Sequence, residues 1–248
     1  MTDGLFDRKS FEFSDIIDAD SEFIPLLTNE EEEQMASEEL PDILAILPLR
    51  NTVLFPGVVI PITVSRDKSI KLVRDVYKQS RIIGVVSQKD ASIEEPEYGD
   101  LNTIGTVARI IKILKMPDGN TTVIIQGKKR FQLQELVENE PYFKARVLSF
   151  ESQGEEKLSQ KFRALIATIK DLAIQIVKLS PNIPSEAAFA IKNIESPVFL
   201  VNFISSNLNI EVEEKQKLLE VPDLTTRSNI VLGHLTKELQ VVELKNQI

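Results

Sequence analysis

The 248 residues contain no cysteine and only one histidine, His234. The missing thiols exclude a disulfide framework, a thiolate nucleophile and a cysteine-based metal site, and they suit a reducing cytoplasm. A single histidine rules out a His-rich metal cluster, and a Ser-His-Asp triad would have to use that one residue. No apolar run approaches the 18 residues a membrane-spanning helix needs, and the opening MTDGLFDRKSFEFSD carries acids where a signal peptide needs a basic flank. The expectation is a cytoplasmic protein with no membrane partner. What is present is ordinary for a globular chain: 42% hydrophobic and 27% charged residues, enough apolar material for one or two cored domains.

Charge is unevenly placed. Residues 1–43 hold 14 acidic and 2 basic residues, so this leader is −12 while the rest of the chain is +3. With too little apolar surface to offset the entropy of ordering it, the leader is expected to be disordered. Phe6, Phe11, Phe13 and Phe23 among its acids also give it the makings of a docking peptide, although a solvating role is the simpler reading. The nearly neutral body lacks the basic, aromatic-studded stripe of a nucleic-acid binder, so nucleic acid is not expected as a partner. Its one basic run, Lys128-Lys129-Arg130, reads as a solvated strand end.

Two bodies follow the leader. Residues 44–151 read as strands: Leu44–Leu49, Val58–Val64 and Ile82–Ser87 are β-rich apolar runs. A single helix, Asp67–Ser80, is capped by Ser65 or Asp67. Gly105–Leu114 and Thr121–Gln126 flank Pro117-Asp118-Gly119, a turn in which fixed φ is followed by permissive φ, and Phe131–Leu136 and Phe143–Phe150 complete about six strands. Prolines at strand ends point to a small closed or half-closed barrel. From 155 to 222 the period becomes helical: Leu158, Phe162, Leu165, Ile169, Leu172, Ile176 and Leu179 step by four and three, and helix starts recur at Ser185 and Ser196-Pro197. In 223–248, Asp223 caps a last helix whose Leu232, Leu235, Leu239 and Val242 fall at coiled-coil spacing. With no closing signal at Ile248, that helix is expected to run on as a linker or oligomer seam. The fold class is therefore α+β: a small β domain with one helix, then an all-α bundle ending in a long helix.

The segments LPLRNTVLFPGVVIPITVSRDKSI (Leu47–Ile70), GVVSQKD (Gly84–Asp90) and GTVARIIKILKMPDGNTTVIIQGKKRF (Gly105–Phe131) occur in the order and spacing of one family. They resemble the N-terminal domain of Lon, the bacterial ATP-dependent protease, over about 200 residues. The resemblance implies that the β domain is PUA-like. It also implies that the parent is a homohexamer with an AAA+ ATPase module, using ATP and magnesium, and a serine protease module with a Ser-Lys dyad. It further implies a role in protein quality control, with unfolded or degron-bearing proteins and other Lon subunits as partners. The residues present supply neither machine. Gly127-Lys128 has Thr122 where a Walker A glycine belongs and Lys129 in place of the magnesium-holding Ser or Thr, and no two glycines stand four apart as in G-x-S-x-G. No catalytic activity, cofactor or metal is expected of this stretch.

What remains is contact. Capturing diverse unfolded clients calls for a modest apolar patch without strict hydrogen-bond geometry. The candidate residues are Phe55, Pro56, Val58 and Pro61, with Leu114 and Met116 at the Leu114–Gly119 hairpin. The competing reading makes Phe55 and Val58 plugs of the barrel core. His234 reads as an ordinary helix histidine, and Arg50 and Arg130 as partners of carboxylates within the domain. The pairs Glu94/Glu95 and Glu213/Glu214 have nothing to part their pKa values. A stand-alone PUA-like module binding RNA or a small ligand is the alternative function.

Overall fold

The computed structural model describes residues 27–151 and 159–248. The leader aromatics Phe6, Phe11, Phe13 and Phe23, and the bundle start at Glu155, Glu156 and Leu158, lie outside the described residues. Contacts divide the chain into two units, and one boundary differs from the sequence reading: residues 210–222, expected in the bundle, belong to the β unit.

In the β unit, α1 (Asn29–Ser37) precedes β1 (Ile43–Leu49), β2 (Val59–Val64), α2 (Asp67–Tyr77), β3 (Ile82–Ser87), β4 (Ile104–Lys115), β5 (Thr121–Glu138) and β6 (Lys144–Ser149). Helix α1 falls within the segment expected to be disordered. Glu30, Glu31 and Glu32 occupy its first turn, where the positive end of the helix dipole favours them. Helix α2 begins at Arg66, whose side chain makes no cap, so neither Ser65 nor Asp67 fills the capping position assigned to it.

The strands run in the order β2-β5-β4-β3-β1-β6, and β6 pairs back onto β5. Five strands thus close a ring on themselves, with β2 attached outside to the first half of β5. The 18-residue β5 makes this possible, because its first half faces β2 and its second half faces β6. Strands β1 and β3 pair in parallel and have apolar clusters on both faces: Leu44 and Ile46 enter one, Leu47 and Leu49 the other. Two-sided burial is why these strands read as continuous apolar runs instead of alternating ones.

Helix α6 (Val212–Glu220) completes the β unit. Gln216 Nε2 donates to the Ile104 carbonyl at 3.0 Å, and one Arg130 guanidinium nitrogen donates to the carbonyls of Leu219 and Val221, each at 2.8 Å.

The helical unit contains α3 (Gln160–Leu179), α4 (Glu186–Asn193), α5 (Pro197–Asn207) and α7 (Leu224–Gln247). Three hydroxyl or carboxylate caps hold the starts: Ser159 accepts from Phe162 N, Ser196 from Phe199 N, and Asp223 from Thr226 N. Such caps contribute about 1 kcal/mol each. Helix α7 packs along α3 and α5, and at its far end Asn246 Nδ2 donates to the Leu179 carbonyl at 2.9 Å. The coiled-coil stripe is therefore used inside the unit. Leu235 is 3% exposed, and Leu232, Leu239 and Val242 are half-buried, so this unit's own helices already cover part of the stripe. Among the described residues, no helix is long and apolar enough to cross a membrane.

Candidate protein-binding surface

Residues Val53–Val58 form a largely buried loop held against β4 and β5. Thr106 Oγ1 donates to the Leu54 carbonyl at 2.7 Å, Gly57 N donates to the Gly127 carbonyl at 2.8 Å, and Gly127 N returns a bond to Val58 O at 2.9 Å. Phe55 is 0% exposed and Val58 is also buried. Two of the six expected contact residues are thus corrected to core. The loop enters the domain because Gly57 adopts φ 80 and Gly127 offers no side chain, letting the backbone reach in. Pro56 stays half-buried on the loop.

The other predicted residues are outside, and the strand register brings two of them together. Ile60, Ile62 and Val64 face the core, as do Val123 and Ile125 opposite them, so alternation turns Pro61, Thr63, Thr122 and Ile124 outward. Pro61 stands opposite Ile124 on β5, and Thr122 stands opposite Leu114 on β4. On β4 it is Lys112 that stands opposite Ile124, with Leu114 diagonally across from it, so Pro61, Ile124 and Leu114 share one outer face, the outer two about 12 Å apart at ordinary strand spacing. Ile124 was missed in the sequence, where its run Thr121–Gln126 shows no clear alternation. A bulge between Ile110 and Lys112 turns Ile111 out as well, at 42% exposure. Met116, 43% exposed, begins the hairpin tip, where Met116 N donates to Asn120 O and Gly119 takes φ 88. Lys112, the cross-strand partner of Ile124, puts a positive charge within this face, and Arg109 adds another beyond it.

Among the described residues strand β2 pairs only with β5, and Pro61 in its middle has no N–H to offer an incoming strand. The face accordingly favours side-chain contact over β-addition.

The remaining polar residues build loops. Arg50 donates to the Ala91 carbonyl at 3.0 and 2.9 Å, where a carboxylate was expected. Arg66 donates to Pro48 O, Gln88 Oε1 and Glu94 O; burial, and secondly the Arg50 charge, lower its pKa, with Glu95 opposing. The Ser92 hydroxyl and backbone N–H hold the Asp90 carboxyl below its ordinary value. Burial raises the Tyr98 hydroxyl, and raises Tyr142 with help from Asp75. The basic run is not a solvated strand end. Lys128 is buried and paired with Glu38, Lys129 Nζ donates to the Glu38 carbonyl, and Arg130 lies over the Phe150 ring at 4.8 Å. Among the described residues, no group of three or more His, Asp or Glu side chains is placed to hold a metal.

The family model for the substrate-binding domain of ATP-dependent protease La (LON) matches residues 43–237. The chain belongs to the Lon substrate-binding domain family. The Lon protease of Flavobacterium johnsoniae is 56% identical over 231 residues, covering 93% of this chain, and that of Cytophaga hutchinsonii is 48% identical over 227 residues, covering 92%. In both cases the chain spans only 28% of the relative's length. The N-terminal domain of a Mycobacterium avium complex Lon protease superimposes with a TM-score of 0.64 at 18% identity, covering 78% of this chain and 98% of that one. A Lon N-terminal domain protein from Xanthomonas campestris gives 0.56 at 19% identity, covering 77% and 97%. At such identities the two structures speak to the fold, which is that of Lon N-terminal domains.

Proposed function

We propose that this chain is the client-recruiting front end of a Lon-type ATP-dependent serine protease, acting on unfolded or degron-bearing proteins. The ATPase and protease modules belong to the rest of such an enzyme, and this part grips without turnover. The observation that carries the reading is the outward stripe Pro61–Ile124–Leu114, extended by Ile111 and Met116. Its side chains are apolar apart from Lys112 opposite Ile124, and they impose no strict hydrogen-bond geometry, as recognition of many sequences requires. Flexible Met116 adapts to differing partners. Assembly with other Lon subunits would draw on what α7 leaves outside, namely Val241 and Leu244. The RNA-binding alternative loses its basic run, since Lys128 and Arg130 are engaged within the chain.

The test is capture of a permanently unfolded, casein-like protein by the chain and by the double variant Ile124→Lys, Leu114→Glu. A loss of tenfold or more in affinity with the fold intact is expected. Unchanged capture would remove this face from the account.

A further inference from the structure

The face built on Pro61, Ile124 and Leu114 carries charge of one sign. Strands β2, β3 and β4 contain no Asp or Glu, and β5 has none before Glu135. Three cations stand on β4, namely Arg109, Lys112 and Lys115, and all three are exposed. Among the described residues none of them has an ion-pair or hydrogen-bond partner. The register places two of them beside the apolar row. Lys112 stands opposite Ile124, and Arg109 stands opposite Gln126, two residues further along β5, so the charges lie about 7 Å apart along the strand. In the other direction come Leu114 and then Met116 at the hairpin tip. The outer side of β4 therefore grades from apolar at the tip to cationic further in. Its steps match the roughly 7 Å between alternate residues of an extended chain.

We propose that the client segment this face selects is an extended apolar stretch with acidic residues at one end. Its apolar side chains lie against Leu114 and Ile124, and its carboxylates meet Lys112 and Arg109. This rests on the client-binding reading of the same face and adds a sequence preference to it. The cations have no internal partner to surrender, so an arriving carboxylate displaces only water. Lys112 is set among Ile111, Ile124 and Leu114, a mixture that suits a peptide, whereas a nucleic-acid backbone is held by rows of cations on successive phosphates. An exposed ion pair is worth a factor of roughly 1.5 to 5, and the two together about fivefold at low salt. Segments without acids gain nothing from them, so over a long unfolded chain of mixed sequence apolar contact still sets the affinity.

Three fluorescent peptides with one apolar sequence, ending in Glu-Gly-Glu, Gln-Gly-Gln or Lys-Gly-Lys, test this by anisotropy on the full chain. At about 50 mM salt the Glu peptide should bind about fivefold tighter than the Gln peptide, with the Lys peptide weakest, and at about 0.5 M the three should converge. The double variant Lys112→Glu, Arg109→Glu should turn that order round, an inversion that damage to the fold cannot imitate. Equal binding of the Glu and Gln peptides by the unaltered chain overturns the proposal, and if both peptides are lost in Ile124→Lys, Leu114→Glu the client face itself still stands. A Glu preference that survives the charge reversal overturns it too, as does a single-stranded oligonucleotide that displaces the Glu peptide at equal concentration. Binding of all three peptides that ignores both double variants removes the face, and this preference with it.

Discussion

The carbonyl oxygen of Phe55 lies 2.3 Å from where a Cβ on Gly127 would stand. No heavy atom tolerates that approach, and the obstacle is backbone, so it cannot rotate away. Gly127→Ala is expected to destabilise the β unit by about 2–3 kcal/mol or more, in the range of overpacked cores. Phe55→Ala, which removes the buried side chain of the same loop, should cost about 3–5 kcal/mol. Urea unfolding followed by circular dichroism measures both, and a cost below about 1 kcal/mol for Gly127→Ala would mean that the loop is not seated as described.

Met116→Asp should separate binding from stability. Its side chain stands on an exposed hairpin tip, so the unfolding free energy should move by less than about 0.5 kcal/mol. Affinity for an unfolded client should nevertheless fall severalfold, and in the unaltered chain raising salt to about 0.5 M should leave that affinity within twofold, because screening acts on charges and not on apolar contact. Strong salt dependence would transfer the binding to Lys112 and Arg109.

Glu38→Gln removes the carboxylate that meets the buried Lys128 ammonium. Glu38 is itself partly open to water, which discounts the pair well below a fully buried one, so a loss of about 1 kcal/mol is expected. A double-mutant cycle with Lys128→Met isolates the coupling. Additive effects would show that the ion pair contributes nothing.

Asp90 should titrate below ordinary aspartates in a carboxyl-resolved NMR experiment, and Ser92→Ala should move it back up. Because the folded value is the depressed one, this group's contribution to stability is present above the unfolded pKa near 3.9 and disappears as pH falls through the folded value. A normal value in the unaltered chain would remove the turn from the electrostatics of this loop.

These residues also show where the sequence was readable. Runs buried on both faces, such as Ile82–Ser87, and capped starts, such as Ser196-Pro197 and Asp223, are local patterns, and they matched the strands and helices found. Phe55 could not be placed the same way. Its burial depends on a loop meeting Gly127 some seventy positions away, a long-range event that periodicity does not encode. Ile124 was hidden for a related reason: only its register against Pro61 and Leu114 gives it a surface role. The terminal heptads were visible, but spacing alone could not tell a seam between molecules from packing against α3.

Ring closure sets a timetable for biosynthesis. Strand β1 needs β6, about a hundred residues later, and the carbonyls that take up Arg130 arrive only with Leu219 and Val221. At roughly 5–20 residues per second, a ribosome takes several seconds to go from the last strand to that helix. During that interval the strands of the ring are all made, while the Arg130 guanidinium still waits in water for the acceptors that later cover it.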